Sequence, residues 1–202
     1  HLHYLGVMHG DLKPAYILLL NTLDGKQVDP ARLHLKLCDF GFACVCGEGK
    51  LRSYCGTPAY LAPELATPAD AHKGYLGRPV DMWALGCLVY ELCCFAPPFA
   101  ASNQLALAQK ILHSTPSPLP AHYSMELHFL TMKMLEKDVA RRATLPQLLA
   151  DPAVQRRMLE FVSEAEGAPA PRPPRPGGGN VKRAGAAADW GGGGGGGGGV
   201  SE

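Results

Sequence analysis

The sequence has no long apolar run and no strong excess of charge of either sign. None of its apolar segments approaches the roughly 20 residues that a membrane-spanning helix requires, so we expect no membrane partner. Its 19 Lys and Arg residues against 18 Asp and Glu give a formal net charge of +1, which is too small to gather nucleic acid by electrostatic attraction. We therefore expect its partners to be recognised by local features.

Cysteine is present, but not in the pattern of a zinc site or a redox motif. The seven cysteines form no C-x-x-C pair, and Cys44 and Cys46 are too close together for a ligand-bearing hairpin. Small buried thiols in a reducing compartment are the simplest interpretation, with a disulfide framework or a metal site as the alternatives. We accordingly expect a cytoplasmic, intracellular protein, and association with the cytoskeleton is a further expectation.

Composition changes at about residue 163. Up to that point short apolar runs alternate with polar turns, as they do in a folded domain. Residues 169–179 are rich in proline, arginine and glycine, and residues 191–199 are all glycine. Such segments bury too little apolar surface to offset the entropy lost when a backbone is ordered. We predict a folded domain over residues 1–163 and a disordered tail over residues 164–202.

Within the domain, the patterns predict one hairpin and several helices. Residues 16–20 and 33–37 are strand-like runs, and the turn-rich residues 21–32 between them indicate an enlarged hairpin loop. Apolar residues three and four apart over residues 80–94 predict a largely buried helix. Further helices are predicted over 103–112, 124–135 and 145–162, the last with a break near Asp151 and Pro152. The predicted fold class is α+β, mainly α.

Four short motifs follow one another along the domain. They are HGDLKP at 9–14, DFG at 39–41, GTPAYLAPE at 56–64 and DMWALG at 81–86. In this order they resemble the eukaryotic protein kinases, whose catalytic loop, metal-binding turn, activation-segment end and central helix have this form. The resemblance implies a protein-kinase-like fold, of which this chain holds the C-terminal helical lobe.

The resemblance also implies a role in phosphoryl transfer for each matched residue. Asp11 would accept or orient the proton of the substrate hydroxyl, and Lys13 would steady the transferring phosphate. Asp39 would hold Mg²⁺ on the phosphates of ATP. The residues implied at the nucleotide are Asp39, Phe40, Gly41 and Leu18. Taken alone, Asp11 is a turn-capping carboxylate and Asp39 a hairpin-end residue; the series of motifs favours the functional interpretation.

Other matched residues are implied to be structural. Glu64 and Arg142 would form the buried pair that anchors the activation segment, and Asp81 would accept backbone hydrogen bonds from the catalytic loop that contains His9. A charge near a helix N-terminus is the simpler interpretation of Asp81, and it is compatible with this role. Thr57 would link the activation segment to Asp11 and Lys13, as in kinases specific for serine and threonine.

The sequence from the DMWALG motif onward resembles the NIMA-related (NEK) branch of the family. It includes DMWALGCLVYEL at 81–92, a Lys-Ile pair at 110–111 and a Tyr-Ser pair before a predicted helix at 123–124.

Two positions depart from the family pattern. Gly10 stands where most members have an arginine that binds a phosphorylated activation segment. Without that arginine, we expect phosphorylation of Ser53, the candidate phosphosite, to switch activity weakly. Tyr16 stands where the family has an asparagine that ligates Mg²⁺. A phenol is a poor ligand for this hard cation, so we expect weakened metal binding.

The sequence leaves two functions open. No glycine-rich loop and no strand lysine precede His1, so we expect that the chain lacks its N-terminal lobe and its true N-terminus. The first function is a serine/threonine kinase that uses ATP and Mg²⁺ on protein substrates, with this chain as a fragment. The second is a catalytically impaired, pseudokinase-like binding module. In both, the open cleft face would pair with the missing lobe or with another protein.

Overall fold

The computed structural model describes residues 1–19, 34–46, 51 and 56–166. Four short strands form two antiparallel pairs, β1 (Val7–Met8) with β4 (Cys44–Val45) and β2 (Ile17–Leu19) with β3 (Leu35–Leu37). The helices are α1 (Pro68–His72), α2 (Gly77–Cys94), α3 (Gln104–His113), α4 (Met125–Met134), α5 (Leu145–Leu149) and α6 (Pro152–Glu166). Short 3-10 turns cover Pro14–Tyr16, Pro58–Tyr60 and Pro63–Leu65. The predicted α+β, mainly α class is confirmed.

The predicted hairpin is present as the β2–β3 pair. Ile17 lies opposite Leu37, and Leu19 lies opposite Leu35. The predicted enlarged loop at 21–32 falls outside the described residues. Side chains of this pair are substantially exposed, so an apolar surface lies on this side of the domain.

Helix α2 is the centre of the core. It begins at Gly77, ahead of the predicted start at residue 80, and any side chain at Gly77 would collide with the sulfur atoms of Cys46 and Met8. Trp83 is fully buried and stacks on Phe99, with ring centroids 5.8 Å apart and the planes within 5°. The helix packs against β1 and α4, so it ties the strand that precedes the first motif to the helical part of the domain.

Helix α2 ends at Cys94, and the next residue, Phe95, caps it with a left-handed backbone (φ 55°) and is 92% exposed. A residue with a Cβ atom pays about 1–2 kcal/mol for this conformation, and glycine is the usual residue at such a position. We expect Phe95→Gly to raise the free energy of unfolding by about 1 kcal/mol, measured by urea denaturation. Phe95→Ala keeps the Cβ atom and serves as control; an equal gain in that variant would attribute the effect to loss of the exposed ring.

The later helices begin at side-chain caps. Asn103 accepts a hydrogen bond from the Ala106 N–H, Ser124 accepts one from Leu127, and Thr144 forms a capping box with Gln147. These caps explain why α3, α4 and α5 start close to their predicted positions.

The C-terminal helix corrects one predicted boundary. The break near Asp151 is present between α5 and α6, but α6 continues to Glu166, past the predicted end of the folded domain at residue 163. The residues after Ser163 are Glu, Ala and Glu, which favour helix, and Gly167 is the first residue that does not. The remainder of the predicted disordered tail, residues 167–202, falls outside the described residues.

The described cysteines agree with the thiol interpretation. Within the described ranges, Cys46, Cys87 and Cys93 are free thiols and are buried. Within the same ranges, no group of three or more His, Cys, Asp or Glu side chains is placed to hold a metal ion. None of the helices in the described residues is both long enough and apolar enough to cross a bilayer.

Candidate active site

Asp11 lies in the loop between β1 and the first 3-10 turn, and it is only 4% exposed. Its Oδ1 accepts hydrogen bonds from the Thr57 N–H (2.8 Å) and the Thr57 hydroxyl (2.7 Å). Its Oδ2 accepts one from the Lys13 ammonium at 2.7 Å. Burial acts to raise the pKa of Asp11, but the hydrogen bonds from Lys13 and Thr57 outweigh it and hold the pKa below its usual value. The carboxylate is therefore ionised at neutral pH.

Lys13 completes a closed triangle with Asp11 and Thr57. Its ammonium also donates to the Thr57 hydroxyl, at 2.7 Å. Burial acts to lower the pKa of Lys13, but the hydrogen bond to Asp11 and the contact with Tyr16 outweigh it, so the pKa is raised. The structure thus brings together the three residues that the resemblance assigned to catalysis, from two segments 44 residues or more apart in sequence.

Asp81, on α2, fixes the backbone just before Asp11. Its two carboxylate oxygens accept hydrogen bonds from the His9 N–H (2.8 Å) and the Gly10 N–H (2.9 Å), and the carboxylate is buried. The His3 ring nitrogen Nε2 lies 2.9 Å from Oδ2. Sequence reasoning missed His3, because none of the four motifs includes it; its only signal was that it is a histidine close to the first motif.

His9 links the catalytic loop to the DFG turn. It is 1% exposed, its Nε2 donates to the Cys38 carbonyl (3.2 Å), and its ring centroid lies 5.2 Å from that of Phe40. Through this contact Phe40, in the DFG turn, packs against the catalytic loop. Leu18 lies on β2 opposite Lys36, and its side chain is about half exposed, like that of Phe40.

Asp39 has a left-handed backbone (φ 60°), which is uncommon for a residue other than glycine and which clusters at functional sites. Its Oδ1 accepts a hydrogen bond from the Gly41 N–H at 3.1 Å. The Tyr16 hydroxyl is the main cause of the lowered pKa of Asp39, and the Asp39 carboxylate in turn is the main cause of the raised pKa of Tyr16. The charge of Asp11 acts to raise the pKa of Asp39 and that of Lys13 acts to lower it, and the contacts of His9 with Cys38 and Phe40 join the loop of Asp11 to the turn of Asp39.

The donor set does not fit the metal site that the family implies. Mg²⁺ prefers carboxylate, amide and water oxygens. Asp39 supplies one carboxylate, but the position of the second ligand offers the Tyr16 phenol, which keeps its proton because the Asp39 carboxylate raises its pKa. The oxygens of Asp11 are engaged by Thr57 and Lys13.

Glu64 and Arg142 form the predicted pair, and its geometry is bidentate. The two terminal nitrogens of Arg142 lie 2.7 and 2.9 Å from the two carboxylate oxygens of Glu64. Arg142 also donates to the Pro79 carbonyl (2.9 Å) and, through Nε, to the Glu136 carbonyl (2.8 Å). Its guanidinium carbon is 5.1 Å from the centroid of the Trp83 ring, and its side chain is fully buried. The pair therefore joins the end of the third motif to the core.

The backbone explains the glycine at position 10. Its φ is +83°, and a Cβ atom there would lie 2.7 Å from the Phe42 carbonyl oxygen and 3.0 Å from Met8 Cε. An arginine side chain therefore does not fit this loop. Ser53, the candidate phosphosite, falls outside the described residues. That its phosphorylation switches activity only weakly therefore stays a prediction.

We expect Gly10→Ala to lower the free energy of unfolding by about 2 kcal/mol, because it combines left-handed strain with a steric clash. Gly6→Ala is the matched control, since Gly6 has a similar φ (+72°) but its nearest neighbour would be at an ordinary 3.6 Å. That control should cost only about 1 kcal/mol. Urea denaturation measures both, and equal costs would contradict the clash.

Comparisons with known proteins agree with this geometry. The family model described as "Protein kinase domain" matches residues 1–154. The relatives include the serine/threonine-protein kinase fused of Drosophila melanogaster, 37% identical over 172 residues that make up 83% of this chain and 19% of the relative. They also include human Nek2 (35% identical, 81% of this chain, 35% of the relative) and Nek6 of Oryza sativa subsp. japonica (36%, 81%, 28%).

The two Nek relatives agree with the predicted likeness to the NIMA-related branch. The chain spans between about a fifth and about a third of the length of these three relatives. The family model covers most of the chain, including the motifs that contain Asp11, Asp39 and Asp81. The chain therefore belongs to the protein kinase family and has a protein-kinase-like fold.

Proposed function

We propose that the protein carrying this chain is a serine/threonine protein kinase that transfers the γ-phosphate of ATP to serine or threonine hydroxyls of protein substrates. The observation that carries the proposal is the triangle of Asp11, Lys13 and Thr57, in which a buried, ionised carboxylate is held by three hydrogen bonds. ATP is the phosphate donor of the family, and the relatives carry serine/threonine kinase names.

The chemistry requires a group that positions the attacking hydroxyl and a cation beside the phosphate. Asp11 accepts the hydrogen bond, and then the proton, of the substrate hydroxyl. The hydroxyl oxygen forms a bond to the γ-phosphorus as the bond to ADP breaks. Lys13 lies 2.7 Å from Asp11 and supplies positive charge where the phosphate becomes more negative. Asp81 holds the loop in place through the His9 and Gly10 N–H groups.

A second function is supported by a different observation. A phenol, Tyr16, stands where the family has its second Mg²⁺ ligand, and it lowers the pKa of Asp39. The cleft face also exposes several large apolar side chains, namely those of Leu18, Leu35, Leu37, Phe40 and Phe42. Such a surface fits an N-terminal lobe or another protein. A binding module without phosphoryl transfer is therefore the alternative.

The experiment uses the full-length gene product with γ-labelled ATP and a mixture of protein substrates. We expect label on serine and threonine, none on tyrosine, and loss of the label in Asp11→Asn. Equal and negligible ATP turnover in the unmodified protein and in Asp39→Ala would reject catalysis and favour the binding module.

We also propose an intracellular location, with the cytoskeleton as a candidate site. The free, buried thiols of Cys46, Cys87 and Cys93 support the reducing compartment. Imaging of a fluorescent fusion beside cytoskeletal markers tests both parts; secretion of the fusion would contradict them.

A further inference from the structure

Helix α6 carries an apolar ridge that the rest of the described chain covers only in part. Val154, Met158, Phe161 and Ala165 follow one another at spacings of four, three and four residues, so their positions lie on one side of the helix. This spacing is that of the seam along which two helices pack and bury their apolar side chains. Here, however, Met158 is 50% exposed and Phe161 is 49% exposed.

The ridge lines an open groove beside α4. The groove has a volume of about 850 Å³, and Leu127 and Leu130 of α4 lie on its other wall. The side-chain contact between the two helices is slight, since Arg156 and Glu126 are 4.0 Å apart and both are more than half exposed. The groove is therefore accessible to the apolar side chains of another helix.

The charges of α6 are divided between its two halves. Both of its arginines, Arg156 and Arg157, precede Met158, and its three glutamates all lie in the half that begins at Glu160. The helix macrodipole favours the opposite order, with acidic residues in the first turn and basic residues in the last turn, and α6 has neither. The stability of the isolated helix therefore does not account for this arrangement.

A second copy of α6, lying antiparallel to the first, accounts for both the ridge and the charges. Met158 of each copy then packs against Phe161 of the other. Glu164 follows Arg157 by seven residues, so the two positions lie on one flank of the ridge, two turns apart. The antiparallel arrangement sets position 157 of each copy beside position 164 of the other, whereas parallel copies in register would set like charges side by side.

We propose that the apolar ridge of α6 is the interface between two copies of this chain, which associate through an antiparallel contact between their α6 helices. Arg157 lies 2.8 Å from Glu160 of its own helix, but its side chain is 83% exposed. Such a surface pair contributes little, so Arg157 is available to a partner. The interface is separate from the Asp11 site, and it holds whether the protein transfers phosphate or acts as a binding module.

Two charge reversals test the pairing, with the dissociation constant of the dimer measured by sedimentation equilibrium of the full chain. Arg157→Glu and Glu164→Arg should each raise this constant about tenfold or more, because each sets two pairs of like charges together. An equimolar mixture of the two variants should regain the association of the unmodified chain, since opposite charges then meet at both places. Effects within one helix are the same alone and in the mixture, so this recovery reports only contacts between copies.

Two further variants complete the experiment. Phe161→Ala removes an apolar side chain from the ridge and should also weaken association. Lys73→Glu is the matched control, because Lys73 is 75% exposed and lies outside α6, and it should leave the dissociation constant unchanged. Circular dichroism of each variant establishes that a loss of association is not a loss of folding.

Three results would overturn the proposal. The first is a chain that remains monomeric throughout the concentration series. The second is association that neither charge reversal changes, which would place the contact elsewhere, such as on the exposed cleft face. The third is weak association of both variants with no recovery in their mixture, which would mean that the ridge binds something other than an antiparallel copy of itself.

Discussion

Replacing Arg142 with alanine is expected to lower the free energy of unfolding by about 3–5 kcal/mol, because it leaves the Glu64 carboxylate without its charged partner in a largely buried place. The guanidinium satisfies both oxygens of Glu64 and the carbonyls of Pro79 and Glu136. Its removal also leaves a gap against the face of Trp83. One substitution therefore breaks a charge pair, several hydrogen bonds and a packed contact.

Urea denaturation of the chain measures this cost, and the neighbouring arginine provides the control. Arg141 is largely exposed and pairs with Glu136 at 3.1 Å, so Arg141→Ala should cost less than about 1 kcal/mol. Arg142→Lys keeps the charge but cannot form the two parallel bonds to Glu64, and it should remain strongly destabilising. Similar, small costs for Arg141→Ala and Arg142→Ala would show that the buried pair contributes little.

The helices and the hairpin were predictable because their signals are local. The apolar spacing of α2 and the cap at Ser124 depend on neighbours within one or two turns, so the sequence contains all that is needed. The contacts of the candidate site are different, since Asp81 meets His9 across 72 residues of sequence. The periodicity of apolar residues gives no information about such a contact, which was predicted only from the resemblance to a family.

What escaped prediction depends on atoms that meet only in the folded chain. The need for glycine at position 77, in the first turn of α2, follows from the sulfur atoms of Cys46 and Met8, which any side chain there would meet and which lie in or next to two different strands. Tyr16 was predicted to be a poor Mg²⁺ ligand, but the effect of the Asp39 carboxylate on its pKa depends on where the DFG turn lies in the folded chain. His3 reaches Asp81 from outside every motif. Each case involves a side chain whose partner is distant in sequence.

Asp81→Ala is expected to lower the free energy of unfolding by about 3 kcal/mol. The His9 and Gly10 N–H groups would lose their acceptor in a buried place, and each unsatisfied group costs about 1–3 kcal/mol. His3 would lose the same carboxylate. Because the loss falls on the backbone immediately before Asp11, the catalytic loop should open before the rest of the domain unfolds.

Amide hydrogen exchange followed by NMR distinguishes this local opening from a uniform loss of stability. In Asp81→Ala the His9 and Gly10 amides should exchange much faster than those in the interior of α4, whose hydrogen bonds the substitution does not touch. Asp81→Asn keeps one carbonyl oxygen as an acceptor and should protect one of the two amides better than the other. Unchanged protection of both amides in Asp81→Ala would mean that the loop is held by its own turn geometry, and the anchoring role of Asp81 would then be wrong. Faster exchange confined to the loop would instead show that a carboxylate on the central helix holds Asp11 within reach of Lys13 and Thr57.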